Sequence, residues 1–312
     1  MELDGQYRAL REEAGYTRRE RAWITVEGAD AAEYLQGQLT NDIEALKPGA
    51  GTYSALLDRK GRMQADMRVL RLSDSEILVE TEPEALDVCT RHLTMYSVGR
   101  DVSVTPVAGT LGLLSVAGPA SSSLTGLPPL GAENDHACVE IDGLPARAVR
   151  TADGLDLIAT PEHLDGLESA LEARGVVRVS EEAIEIVRVE SGRPRFGREM
   201  TNETIPQEAG INERAVSFTK GCYIGQETVA RLHYKGKPNR HLRGLRLTAP
   251  AAPGAVVTLG ERELGKVGTP VLSPAHGPIA LAILRREAEP GDEVLVDGDN
   301  AATVVDLPFE RL

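Results

Sequence analysis

Apolar residues along the chain fall mostly into short alternating runs bounded by Gly, Pro, Asp and Asn, and a few segments carry the three-to-four-residue spacing of helices. From 22 to 107 the pattern predicts strand, helix, hairpin, strand, helix, strand. The pieces are a strand at 22–27, a helix capped by Asp30 and reaching about Leu39, and strands at 53–57 and 63–72 around Asp58-Arg59-Lys60-Gly61. A strand at 77–80, a helix with Pro83 near its first turn and a strand at 102–107 complete it, an order that fits a split β-α-β unit. Similar architecture recurs from 111 to 179, with strands near 113–116, 137–141, 146–149 and 155–159 and a helix at 161–174, but no sequence repeat is visible. After Arg240 come short β-like runs at 242–247, 255–259, 279–284, 293–296 and 302–307, separated by Gly and Pro. They predict a small antiparallel barrel or sandwich as a separate domain.

The expected class is therefore α+β in three units: 1–110, 111–238 and 239–312. The apolar fraction of 41% suits a packed globular chain, and no run approaches the roughly 20 apolar residues of a membrane span. With no apolar signal core after Met1, the expectation is a cytoplasmic protein. Cys89, Cys138 and Cys222 are too few and scattered for a disulfide framework, and no Cys/His cluster points to a metal site. A net charge of −14 disfavours general affinity for nucleic acid or anionic membrane.

Two residues carry candidate chemistry. Gly221 and Gly225 bracket Cys222, and 226–234 has helical composition, so the sulfur is expected at or just before a helix start with Lys220 beside it. Both features favour a thiolate, although a lone cysteine is more often a small buried hydrophobe. Cys89 on an amphipathic helix and Cys138 within a strand read as structural. The second residue is Glu190. Ser180 can cap a helix that Gly192 and Pro194 end, and Ala183, Ile186, Val187 and Glu190 share its apolar face. A carboxylate there needs strong donors: a nearby arginine among Arg188, Arg193, Arg195 and Arg198, or a ligand with two adjacent N–H groups. Between Arg231 and Arg246 lie six Lys and Arg residues without an Asp or Glu, either a solvated linker or a patch for an anionic tail or partner.

Taken together, Arg188-Val189-Glu190-Ser191-Gly192, Pro194-Arg195-Phe196-Gly197, 205–210 and Lys220-Gly221-Cys222-Tyr223-Ile224-Gly225-Gln226-Glu227 resemble the YgfZ-like folate-binding proteins, relatives of the glycine cleavage T-protein. Leu39-Thr40-Asn41-Asp42-Ile43 and Tyr53-Ser54 fit as well, so the resemblance covers nearly the whole chain. It implies two ferredoxin-like halves forming a ring around a tetrahydrofolate channel, with the C-terminal barrel completing a cloverleaf. By the same likeness Glu190 would hold the pteridine, and Asn41, Tyr53, Gln226, Glu227 and Arg231 would serve the cofactor site. Cys222, Lys220 and Asp66 would be the reactive groups. Asp66 falls where T-proteins carry the second of two aspartates, but Ala65 replaces the first and T-proteins lack the Lys-Gly-Cys segment, which counts against plain aminomethyl transfer.

The function implied is that of an accessory factor for assembly or repair of iron–sulfur enzymes, using a Cys222 thiolate beside the folate pocket and touching tRNA modification only indirectly. Its expected partners are folate, those enzymes and cluster-assembly proteins, with no direct nucleic acid. The alternative is a tetrahydrofolate-dependent aminomethyl or methyl transferase.

Overall fold

The computed structural model describes residues 1–310. In chain order the first part comprises α1 (Leu3–Glu12), β1 (Gly15–Arg19), β2 (Ala22–Glu27), α2 (Ala31–Gln38), β3 (Gly51–Leu57), β4 (Met63–Arg71), β5 (Glu76–Thr81), α3 (Leu86–Tyr96) and β6 (Ser103–Pro106). Next come β7 (Gly112–Ala117), α4 (Ser121–Thr125), β8 (His136–Ile141), β9 (Leu144–Arg150), β10 (Gly154–Ala159), α5 (Pro161–Ala173), β11 (Val177–Arg178), α6 (Glu181–Glu190), α7 (Asn212–Ala215) and α8 (Gln226–Lys235). The last part is all strand: β12 (Arg240–Leu247), β13 (Val256–Leu259), β14 (Arg262–Ser273), β15 (Gly277–Arg285), β16 (Glu293–Val296) and β17 (Asn300–Val305).

These build a five-stranded sheet ordered β3-β4-β5-β2-β6, a six-stranded sheet ordered β11-β1-β7-β10-β9-β8, and a closed barrel ordered β12-β15-β14-β13-β16-β17. The α+β class and the C-terminal antiparallel barrel are thus as expected. One connection differs. β1 pairs with β7 and β11 of the six-stranded sheet, whereas β2 pairs with β5 and β6 of the other. The chain therefore starts in the second sheet and crosses to the first through Glu20 and Arg21.

Strand periodicity decides what each sheet face offers. On β4, Ala65, Met67 and Val69 enter the core beneath α2 and α3, so Asp66, Arg68 and Leu70 face the other way. On β10, Leu155, Leu157 and Ala159 pack with α5, leaving Asp156 and Ile158 on the opposite face. The two sheets bring these second faces together. At one end Trp23, Leu70 and Leu78 meet Leu113, Val149 and Ile158 in an apolar seam. At the other end the same faces carry Asp66, Arg68, Glu80, Ser115 and Asp156 around a cavity.

Two elements escape the apolar pattern. α1 has low mean hydropathy and is held by Leu3, Tyr7 and Leu10 against Val179, Ala183 and Val187. β14 is interrupted by Gly265, Gly268 and Pro270, and a register shift between Val267 and Thr269 lets it bend around the barrel while pairing with both β13 and β15. Its breakers mark curvature in a long strand, where loop was the obvious inference.

α8 starts after Gly225, whose φ of +86° requires the left-handed region, and a Cβ there would lie 2.6 Å from the Asp58 carbonyl oxygen in the β3–β4 turn. Gly225→Ala is therefore expected to destabilise by roughly 1–3 kcal/mol, read by urea unfolding. Gly221→Ala, with nothing near its Cβ position, should stay within about 0.5 kcal/mol of the parent. Equal effects would show that the turn contact does not matter.

Candidate functional site

The cavity between the sheets has a volume of about 250 Å³ and walls dominated by ionisable side chains. At its centre is Arg68, whose Nε donates to Glu80 Oε2 at 2.7 Å and whose Nη1 donates to Asp156 Oδ2 at 2.7 Å, joining the first sheet to the second. Ser115 Oγ donates to the other Asp156 oxygen at 2.6 Å. Arg21, in the crossover, donates to Glu80 at 2.7 Å and pairs with Glu82. Arg195 closes the row by donating from Nε and Nη2 to both Glu82 oxygens, at 2.9 and 3.0 Å. Burial alone would raise the Glu80 carboxyl; Arg68 and Arg21 outweigh it and hold it below the usual range. Burial likewise opposes ionisation of Glu82, but Arg21 and Arg195 prevail. Losing one member of such a buried pair typically costs about 3–5 kcal/mol, because the survivor is left uncompensated.

Asp66 sits in the same wall and behaves differently. Tyr53 donates its hydroxyl to Asp66 Oδ2 at 2.7 Å, while Oδ1 is buried with no partner among the described residues. Burial raises the Asp66 carboxyl above its ordinary value, against the opposing pull of Tyr53 and Arg21. Burial also pushes the Tyr53 phenol well up. The Arg214 guanidinium lies 4.9 Å from the Tyr53 ring centroid and donates to Glu133 at 2.8 Å, so the ring is fixed from its other face. The wall thus offers one buried carboxyl oxygen without a partner among the described residues, in a densely charged setting. Asp66 and Arg68 share a strand face without pairing; Arg68 is taken by Glu80 and Asp156.

Tyr53 is positioned by Asn41, whose Nδ2 lies 2.9 Å from the Tyr53 carbonyl, 2.8 Å from Thr52 Oγ1 and 2.9 Å from the Arg214 carbonyl. Its Oδ1 accepts the Asp42 N–H at 2.9 Å, so the Asn41 amide is consumed in holding three segments together. Lys220 performs a related task. Its Nζ donates to the carbonyls of Gln36, Leu39 and Asn41 at 2.6, 2.8 and 2.6 Å, closing the C-terminal end of α2, where unpaired carbonyls favour a cation. Burial lowers the Lys220 ammonium to about 8, with Asp42 and Glu44 pulling it up.

Cys222 is exposed and lies ahead of α8, separated from it by Tyr223, Ile224 and Gly225. Tyr223 is buried against Ala55, Leu57 and Met63, which uses up the chain between sulfur and helix. Neither Cys222 nor Lys220, Gln226, Glu227 and Arg231 are among the residues lining the cavity. Glu227 and Arg231 project from the exposed side of α8. Glu190 is also outside that lining. It is buried, as the helix pattern requires, and its carboxylate accepts from Ser273 Oγ at 2.5 Å and Tyr7 OH at 3.2 Å, with Arg11 at 3.5 Å. These internal donors come from α1 and the barrel, and none is an arginine close to it in sequence. Of the other cysteines, Cys89 is buried under the first sheet and Cys138 is exposed on β8.

The site residues that sequence reasoning missed are Arg21, Glu80, Glu82, Asp156 and Arg195. A signal existed: Arg68, Glu80 and Asp156 each interrupt a strand otherwise buried on both sides. Which charge meets which depends on the packing of two sheets and was not readable. Among the described residues no group of three His, Cys, Asp or Glu side chains is arranged to hold a metal ion, and no helix is long and apolar enough to cross a membrane.

A family model described as the GCVT N-terminal domain matches residues 4–220. An aminomethyltransferase of Streptomyces coelicolor is 32% identical over 312 residues, covering 92% of this chain and 84% of that protein. The tRNA-modifying protein YgfZ of Sodalis glossinidius is 32% identical over 244 residues, covering 75% of this chain and 71% of that protein. The crystal structure of glycine cleavage system aminomethyltransferase T from Bartonella henselae superposes with a TM-score of 0.87 at 24% identity, over 99% of this chain and 89% of that one, a likeness of fold.

Two predictions follow from the buried polar groups. Raising the Asp66 carboxyl in the folded state means that its contribution to stability is complete below the unfolded value of about 4 and is lost as pH rises through the folded value. Asp66→Asn removes that ionisation, so the Tm difference, variant minus parent, should grow as pH rises above about 4; a flat or shrinking difference would overturn the raised carboxyl. Lys220→Met strands three carbonyls at the end of α2 and should cost roughly 2–3 kcal/mol in denaturant unfolding.

Proposed function

Because the chain belongs to the GCVT N-terminal domain family, together with proteins named aminomethyltransferase and tRNA-modifying protein YgfZ, we propose that it binds tetrahydrofolate or a one-carbon derivative in the central cavity. In this reading it uses that bound folate as an accessory factor in assembly or repair of iron–sulfur enzymes, through which tRNA modification is affected indirectly. The observation that carries the folate reading is the buried Asp66, fixed by Tyr53 on one oxygen and unpartnered on the other. A reduced pterin presents adjacent N–H donors, and a carboxylate oxygen in a low-dielectric wall gains most from such a donor.

The accessory role is supported by the separation of cavity and thiol. Cys222 is exposed in a loop clamped by Lys220 and Tyr223, open to a second macromolecule, while the cavity is walled by ion pairs. A thiol so presented is open to a partner macromolecule as a nucleophile or a metal ligand. A single thiol does not make a stable cluster site, so the iron–sulfur centre belongs to the client. Lys220 fits here as the residue that orients the loop, and Glu190 as the junction of α6, α1 and the barrel.

A second reading, one-carbon transfer, is favoured by the raised Asp66 carboxyl, which can accept or return a proton near a bound folate nitrogen. Titration calorimetry with tetrahydrofolate tests the common premise: micromolar binding is expected, weakened at least about tenfold by Asp66→Ala, and absence of heat would remove both readings. Cys222→Ala separates them. It should retain folate affinity yet fail to restore iron–sulfur enzyme activity in a deletion strain, whereas full rescue would leave the thiol without the role given to it.

A further inference from the structure

The net charge of −14 is not spread evenly over the folded chain. From 228 to 260 there is no Asp or Glu, while Arg231, Lys235, Lys237 and Arg240 follow one another through the end of α8 and its link to β12. All four are exposed, and none of their side chains makes a hydrogen bond or ion pair among the described residues. The barrel adds two more exposed cations. Arg240 stands opposite Arg285 across the β12–β15 ladder, and the Arg286 N–H donates to the Asn239 carbonyl at 2.9 Å. Acids beside this strip are mostly spoken for: Glu287 pairs with Arg262 at 2.7 Å, Glu203 pairs with Arg62 at 3.3 Å, and Glu208 is largely buried. Glu227 lies at the far end of α8, in its first turn, which leaves Glu263, in the cleft that Arg240 also lines, as an exposed acid without a cation.

An aromatic platform stands within the same strip. His233 stacks on Phe218 with ring centroids 3.7 Å apart and planes 15° apart, and Tyr234 is edge-on to both, at 4.8 and 6.3 Å. Tyr234 is nevertheless 66% exposed, in a chain where only 4% of residues are aromatic, so burial does not account for it. Helix chemistry does not account for the charges either. A helix C-terminus favours Lys235, but Lys237, Arg240, Arg285 and Arg286 lie beyond α8. A partner that uses both features must offer flat faces and regularly spaced anions. Single-stranded nucleic acid does so, its bases stacking on aromatic rings while its phosphates meet Lys and Arg. An acidic peptide would satisfy the cations and leave Tyr234 idle.

We propose that the end of α8, the link at 236–239 and the adjoining β12–β15 ladder form a binding face for single-stranded nucleic acid, with a base on Tyr234 and the backbone running over Lys235, Lys237, Arg240 and Arg285. None of these residues lines the central cavity, so the face stands apart from the folate reading. It runs against the expectation of no direct nucleic acid, which rested on summed charge; the fold sets a cationic strip apart within an acidic molecule, and a polyanion meets the strip before it meets the sum.

The test is fluorescence anisotropy of a labelled single-stranded RNA of about 12 nucleotides with the full chain, titrated at several salt concentrations, with unlabelled single strand, the matching duplex and polyglutamate as competitors. The logarithm of the binding constant should fall with the logarithm of salt at a slope of about −2 to −3.5, as for three to five phosphates of a single strand. Tyr234→Ala should weaken binding about tenfold with the slope unchanged, and Lys237→Ala should reduce the slope by about 0.7. Both replace exposed side chains, so the unfolding midpoint should stay where it is. No binding of the single strand, Tyr234→Ala binding like the parent, or displacement by duplex or polyglutamate as effective as by unlabelled single strand overturns the proposal. The polyglutamate outcome would instead make this strip a face for acidic protein segments, and none of these outcomes bears on folate binding.

Discussion

The Arg68 guanidinium is the constraint on which the molecule's interior is built. It is buried between two sheets that also meet through an apolar seam, and it is tolerable there because Glu80 and Asp156 approach it from opposite sheets. An isolated buried charge costs several kcal/mol, so neither sheet can present its half of this arrangement without the other. Arg21 and Arg195 extend the alternation of sign from the crossover segment to the loop after α6. The cavity thus has a polar frame, and within that frame Asp66 keeps a buried carboxyl oxygen with no partner among the described residues.

The loop that carries Cys222 obeys a different logic. Its fixed points are Lys220 on the carbonyls that end α2, Tyr223 in an apolar cluster, and Gly225 against the β3–β4 turn. Asn41 connects the two regions: its carbonyl accepts from Lys220, and its amide sits on the carbonyl of Tyr53, which in turn holds Asp66. The cavity wall and the loop share this short chain of hydrogen bonds without sharing a surface.

Much of this was legible in the sequence wherever one residue's neighbours along the chain decide its fate. Strands from 22–27 to 302–307, the helix ended by Gly192 and the inward carboxylate of Glu190 follow from period and capping, and α6 is indeed capped by Ser180 accepting from Ala183 N–H. What was not legible depends on contacts distant in sequence. Glu190 meets Tyr7, Arg11 and Ser273, all remote from it in the chain, and α1 itself has too few apolar positions to stand out. The exposure of Cys222 turned on Tyr223 being the buried residue of the pair, a choice between adjacent positions that the bracketing glycines do not make.

The crossing of the chain between β1 and β2 has a consequence for biosynthesis. α1 and β1 leave the ribosome ahead of the five-stranded sheet, yet their partners β7, β11 and α6 are made only after it. The first sheet can close while the N-terminal segment waits with an unpaired edge, and the last strand to dock in the second sheet lies at the opposite end of its sequence from the first. Nascent-chain vulnerability is therefore concentrated in a strand whose Gly15, Tyr16 and Thr17 are buried in the finished protein, and the two sheets mature as one unit although each has its own core.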